Sequence, residues 1–243
     1  VAEEHAIRFR ATHGIVPALD LESPDEILRL VEAIDPIPGL VAYKLGLTLT
    51  LRLGLLEAVR RLRTVTALPI IYDHQKAGAD LPDMAGKFAS TCKAAGVDAL
   101  ILFPLAGPRA VSGFVGAAIE HGLLPIVGGD LPLEDYNAAG GGYVIDDALE
   151  RIFAVAAGAG ATHFVVPGNT PAKVRHHAAR LRERLAAPSL FIPGIGALGG
   201  SVADTFAAAP GCRVYAVVGR AIFAAADPRA AAQRLAEEAS RFA

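Results

Sequence analysis

The feature that most constrains this chain is a recurring pair: a short apolar run that ends in a polar or glycine step, then a segment with helical character. Eight such runs occur in order. They are Ile15 to Asp20, Leu40 to Leu47, Leu68 to Tyr72, Ala99 to Phe103, Leu123 to Val127, His163 to Val166, Leu190 to Ile192 and Val214 to Val218. Each is apolar throughout rather than alternating, as expected of strands with both faces buried in a parallel sheet. Strand–helix alternation repeated eight times points to a sheet closed into a (β/α)8 TIM barrel. An open doubly wound sheet rarely needs so many units. No linker composition interrupts the pattern, so residues 1–243 are expected to form a single barrel domain.

Local signals punctuate the runs. Ser23-Pro24-Asp25-Glu26 is a capping box with proline at the first helical position. Leu49 to Leu62 reads as one amphipathic helix, and further helices are expected over 83–95, 108–121, 146–157, 171–185 and 228–241. The stretch from Asp130 to Gly142, rich in glycine, reads as a lid or binding loop after strand five. His176 and His177 lie in a basic helix and read as a solvated face.

Composition closes off several classes of function. The 243 residues carry a net charge of −2 with no basic block, so nucleic acid and anionic membrane surfaces are not expected partners. Hydrophobic content of 53% indicates a globular chain, yet no apolar stretch approaches the ~20 residues of a membrane span. Residues 1–10 lack the apolar core of a secretory signal. The two cysteines, Cys92 and Cys212, are expected to be free or buried thiols in a reducing, cytoplasmic setting. No sequence pattern for a metal centre is present.

The chemistry collects at the C-terminal ends of the strands, where barrels of this class carry their sites. Asp20 ends the first run, Lys44 lies late in the second, and Asp130 follows the fifth. Asp73 ends the third, with Lys76 and Asp80 beyond it. A lysine inside an apolar strand is expensive unless it faces a polar site. Carboxylates around an ammonium hold it protonated and suit proton chemistry. The seventh and eighth loops supply a second half. Gly194, Gly196, Gly199 and Gly200 offer backbone N–H groups ahead of a short helix near Val202, and Gly219-Arg220 opens another helical turn. Loops in these two positions commonly bind phosphate, and an arginine there can grip it bidentately. A phosphorylated small molecule is the expected substrate.

With these pieces in order, the chain resembles the orotidine 5′-monophosphate decarboxylase family. The resemblance rests on Ala18-Leu19-Asp20, Lys44-Leu45-Gly46, Asp73 with Lys76 and Asp80, Val166-Pro167-Gly168, Pro193-Gly194-Ile195-Gly196 and Val218-Gly219-Arg220-Ala221-Ile222-Phe223. It implies decarboxylation of orotidine 5′-monophosphate to uridine 5′-monophosphate in pyrimidine biosynthesis, with no metal or organic cofactor. It implies a catalytic network of Lys44, Asp73, Lys76 and Asp80. It also implies a homodimer with shared active sites, the last aspartate entering from the neighbouring subunit. Asp20, Gly194, Gly196, Gly199, Gly200, Gly219 and Arg220 become substrate-binding candidates.

The sequence departs from the family pattern in two respects. The usual D-x-K-x-x-D motif is stretched by one residue in each gap, so Asp73 and Lys76 converge only if the strand ends early or bulges. The positions that commonly read the base fall at Leu198, where the family has glutamine, and near Pro132, where it has a hydroxyl. Two other functions remain open at this point: a hexulose-phosphate synthase-like aldolase, which Mg²⁺ dependence would reveal, and a non-catalytic nucleotide- or phosphosugar-binding barrel.

Overall fold

The computed structural model describes residues 9, 11–35, 37–74, 79–196 and 199–243. Lys76 and Leu198, both singled out above, lie outside the described residues, as does Gly78.

Eight parallel strands form the sheet: β1 (His13–Pro17), β2 (Tyr43–Leu45), β3 (Ile70–Asp73), β4 (Ala99–Leu102), β5 (Leu124–Val127), β6 (His163–Val165), β7 (Ser189–Pro193) and β8 (Arg213–Val218). Seven neighbouring pairs run continuously from β1 through β8 and back to β2. The remaining seam, between β1 and β2, is closed by single bridges at Ile15–Leu40 and Ala18–Lys44. Ile15 and Leu19 donate across it to Gly39 O and Lys44 O at 2.9 Å each. Gly14 lets this seam close, because a Cβ there would stand 2.6 Å from the Gly39 carbonyl oxygen. The sheet is therefore a barrel, as the run pattern predicts.

The helices are α1 (Pro24–Ile34), α2 (Leu47–Leu53), α3 (Leu55–Leu62), α4 (Ala85–Ala94), α5 (Pro108–Glu120), α6 (Ala148–Gly158), α7 (Pro171–Arg182), α8 (Val202–Ala207), α9 (Arg220–Phe223) and α10 (Pro228–Ser240). Ser23 caps α1 as its sequence predicts, accepting from the Glu26 N–H. Among the described residues no helix is long and apolar enough to cross a membrane.

Two expectations need correction. The single helix over 49–62 is two helices broken at Gly54, whose φ of +73° and ψ of 151° end α2 and begin α3. An L side chain rarely adopts that conformation, so the apolar periodicity on either side could not reveal the break. His177 is not on a solvated face. It is buried against Phe153, with ring centroids 5.6 Å apart, while its neighbour His176 stays out and reaches Glu150. Burial pushes the His177 imidazole down to about 4, so it is neutral near pH 7.

The core has two layers. The larger packs the outer faces of the strands against the helices. The smaller fills the barrel itself, with Val16, Ala42, Ile71, Ile101, Ile126, Val165, Phe191 and Tyr215 pointing inward. Phe9 joins this inner layer, its ring 5.5 Å from Phe191 and 5.1 Å from Tyr215. Side chains alternate along a strand, so each inward series continues toward the carboxyl end. Val16 leads through Ala18 to Asp20, Ala42 to Lys44, and Ile71 to Asp73. The fold delivers polar groups to one mouth through this phase, while the same strands fill the barrel below with apolar ones.

Candidate active site

Lys44 is the centre of the mouth. It sits in β2, 9% exposed, and its ammonium reaches two carboxylates from neighbouring strands. Nζ lies 2.9 Å from Asp73 Oδ2 and 3.2 Å from Asp20 Oδ1. Register explains the convergence: Lys44 pairs with Ile71 on one side and bridges to Ala18 on the other, each two residues before a carboxylate. Burial by itself would lower the lysine pKa. Asp73 and then Asp20 outweigh it, and the result lies above the ordinary lysine value. Lys44 is thus a fixed positive charge and not a general base at neutral pH.

Asp73 is also 9% exposed, and its second oxygen, Oδ1, is buried with no hydrogen-bond partner among the described residues. β3 ends at Asp73 itself. The chain leaves strand geometry there, which is the early strand end that the stretched motif requires. Asp80 is exposed, and its carboxylate accepts from the adjacent Leu81 N–H at 2.7 Å. It makes no contact with Lys44 or Asp73 among the described residues.

These groups open into a cavity of about 420 Å³, lined by Asp20, Lys44 and Asp73 together with Pro193, Gly194, Gly219 and Arg220 from the seventh and eighth strand ends. Such a volume accommodates a nucleotide-sized ligand. Arg220 is exposed at the start of α9 and takes part in no ion pair among the described residues, so its guanidinium is available to an anion. The seventh loop is more self-contained than the run of glycines suggests. Gly196 N–H donates to Gly200 O, Gly200 N–H to Gly194 O and Gly199 N–H to Gly196 O, at 2.8, 3.1 and 2.9 Å. Three of its amides therefore close the loop on itself. Gly194, Gly196 and Gly199 all have positive φ, which this closed turn needs. Gly200 packs against the Gly168 carbonyl, where a Cβ would come within 2.9 Å, so the Val166-Pro167-Gly168 turn backs the loop.

One site feature escaped the sequence reading, and a second was named there without a role. Gly46, noted only as part of a motif, clears space for Asp20: a Cβ at position 46 would stand 2.4 Å from Asp20 Oδ1. The Asp20 side chain is 44% exposed and can swing away. Gly46→Ala is therefore expected to cost less than about 1 kcal/mol of stability. It should still lower kcat/KM roughly tenfold by pulling Asp20 off Lys44. Melting temperature and steady-state kinetics, measured side by side, check this; a variant that melts far earlier contradicts it. The second feature is Asp130, buried at 5% exposure, with Oδ2 2.9 Å from Lys173 Nζ of α7. It lines the same cavity, as do Leu131 and Pro132. Its signal was the inward phase of β5, Ile126 then Gly128 then Asp130. Among the described residues no group of three His, Cys, Asp or Glu side chains converges as a metal centre requires.

The geometry coincides with a family match. Residues 14–235 match the model described as the orotidine 5′-phosphate decarboxylase / HUMPS family. The chain belongs to this family. Relatives include the orotidine 5′-phosphate decarboxylase of Methanosarcina barkeri, 30% identical over 224 residues that cover 92% of this chain and 93% of that one. The Methanosarcina mazei enzyme of the same name is 29% identical, covering 92% of this chain and 94% of its own. Among solved structures, the orotidine 5′-phosphate decarboxylase of Pyrococcus horikoshii superposes with a TM-score of 0.74 at 25% identity, over 93% of this chain and 99% of that one. The orotidine 5′-monophosphate decarboxylase of Methanocaldococcus jannaschii, complexed with the inhibitor BMP, reaches 0.78 at 22% identity, over 93% and 98%, a likeness of fold. These relatives are lyases by name, and the family's substrates are phosphorylated.

Proposed function

We propose that this protein is an orotidine 5′-monophosphate decarboxylase. The observation that carries the reading is the buried Lys44–Asp73 pair at one end of the cavity, with Asp73 Oδ1 unpartnered among the described residues. A substrate carboxylate brought against Asp73 meets a like charge in a poorly solvated place. That repulsion disappears as CO2 leaves, so it favours the transition state over the ground state. The carbon–carbon bond breaks, CO2 departs neutral, and the electron pair stays on the ring carbon. Lys76, three residues past Asp73, stabilises that pair and delivers its ammonium proton to the carbon, giving uridine 5′-monophosphate. Lys76 then recovers a proton from water. Asp73 and Asp80 keep Lys76 charged, Lys44 helps to aim it by holding Asp73, and Asp20 with Lys44 meets the ribose. Arg220 holds the phosphate beside Gly194 and Gly219, which line the cavity with it, and that remote binding energy orients the ring.

In this reading the chain is one barrel domain that works in the cytoplasm as a homodimer. The exposure of Asp80 supports a role in a neighbouring subunit's site. The aldolase reading fares worse on the same geometry. The two carboxylates that a magnesium ion would need, Asp20 and Asp73, already flank the Lys44 ammonium at 3.2 and 2.9 Å.

The test follows the ultraviolet absorbance of orotidine 5′-monophosphate with purified protein and EDTA. Conversion to the uridine nucleotide is expected, with full activity in the chelator. Binding without turnover supports a non-catalytic barrel instead, and an activity that depends on Mg²⁺ supports aldol chemistry. Arg220→Ala is expected to weaken nucleotide binding by about 2–4 kcal/mol through loss of a charge-assisted contact, while uridine without phosphate binds both proteins alike. A variant that still prefers the nucleotide as strongly as the parent removes Arg220 from the phosphate site.

A further inference from the structure

β3 ends at Asp73, and the neighbouring strands hold that residue unequally. On the β4 side Asp73 pairs with Ile101, but on the β2 side the ladder stops one residue earlier, at Tyr72 opposite Leu45. Its side chain has the Lys44 ammonium, at 2.9 Å, as hydrogen-bond partner among the described residues. A substrate carboxylate brought against Asp73 pushes it back, and the ladder resists on one side only. The next residue supplies what the ladder lacks. Alternation turns Tyr72 outward, Asp73 inward and His74 outward again. Tyr72 belongs to the outer layer of the core. Its hydroxyl and His74 Nδ1 share a hydrogen bond at 2.5 Å. The His74 ring also stands edge-on to Tyr72 and to Phe88 of α4, with centroids 5.4 and 5.8 Å away. Phe88 in turn packs on Phe114 of α5 at 6.1 Å. Asp73 thus sits between two residues fastened to the helical layer. Burial raises the Tyr72 pKa, so the phenol keeps its proton near pH 7. It donates to a bare Nδ1 or accepts from an Nδ1–H, so the bond holds in either tautomer.

We propose that His74 is a positioning residue, whose hydrogen bond to the Tyr72 hydroxyl fixes the end of β3 and keeps Asp73 against the substrate carboxylate that it repels. This rests on the decarboxylase reading, which gives Asp73 its task and His74 none. Like charges brought together favour the transition state only while neither can move away. Phosphate binding holds the substrate in place, and the His74–Tyr72 anchor holds Asp73. Without the anchor Asp73 retreats, the repulsion is relieved in the ground state, and the bound substrate reacts more slowly. His74 therefore governs kcat and not affinity. A residue that only stabilised this part of the chain would, once removed, weaken binding and turnover together.

Steady-state kinetics with orotidine 5′-monophosphate, and titration with uridine 5′-monophosphate, which lacks the carboxylate, test this. His74→Ala is expected to lower kcat about 10- to 100-fold. KM should be unchanged or lower, and affinity for the uridine nucleotide should stay within about twofold of the parent. Tyr72→Phe removes the same bond from its other end and keeps both rings, so it should give this signature even if His74→Ala folds poorly. The double variant should be no slower than the slower single one, because the two groups act as a unit. His74→Asn sets an amide near the place of Nδ1 and can bond the hydroxyl in either sense, so kcat is expected to return to within about threefold of the parent. Full kcat in Tyr72→Phe overturns the assignment, as do losses that multiply in the double variant or a His74→Asn protein as slow as His74→Ala. A fall in kcat matched by weaker binding of the uridine nucleotide overturns it too, since that marks a merely structural role. Any of these results in a parent protein that converts orotidine 5′-monophosphate removes this inference alone. A parent protein that does not convert it loses the decarboxylase reading and this inference with it.

Discussion

Lys76→Ala is expected to abolish turnover, by at least about 10⁴-fold in kcat, while uridine 5′-monophosphate still binds within roughly tenfold of the parent affinity. Its ammonium is the proposed proton donor and acts on the departing electron pair, so it contributes in the transition state more than in the ground state. Asp80→Ala should behave alike if its carboxylate holds Lys76. Mixing the two inactive proteins distinguishes a shared site from a self-contained one. In a mixed dimer with exchanged Asp80 residues, one site carries both substitutions and the other carries neither. Random assortment then restores about a quarter of wild-type activity. Two inactive proteins that stay inactive after verified subunit exchange remove Asp80 from the neighbour's site. A fully active Lys76→Ala protein removes the mechanism.

Lys44→Met is expected to destabilise the fold by about 3–5 kcal/mol and to eliminate activity. The side chain is nearly isosteric, so the cost is electrostatic: Asp73, buried at 9% exposure, loses its 2.9 Å partner. A buried charge without its counter-ion costs more than the pair is worth, so the double variant Lys44→Met/Asp73→Leu should regain most of that stability. Activity should not return, since both charges are gone. Urea midpoints for the two single variants and the double, analysed as a mutant cycle, measure the coupling. A double variant as unstable as Lys44→Met alone shows that the pair is not the source of the loss.

Much of the barrel was legible in the run pattern, because a strand buried on both faces has to be apolar whichever way it turns. The caps were legible for a related reason: Ser23 accepts from an N–H three residues on, so cap and partner lie within one turn of sequence. Asp20, Lys44 and Asp73 stood out as charges at the ends of apolar runs. Gly54 did not stand out as a break, since the periodicity on either side continues through it. His177 looked exposed because its sequence neighbours are basic, whereas its burial comes from Phe153 on α6.

What the sequence by itself determined is therefore the set of strands and which strand ends carry charge. Those properties depend on each segment's own apolar run and on near neighbours. What only the tertiary structure decided is which charges meet. Lys44 reaches Asp20 and Asp73 because bridging and ladder register set three strands side by side. Asp130 is held by Lys173, 43 residues away on α7, an ion pair that no local spacing encodes. The seventh loop spends three amides on itself, which its glycines permit but do not announce. In each case the deciding contact lies between segments distant in sequence, and only closing the barrel brings them within hydrogen-bonding reach.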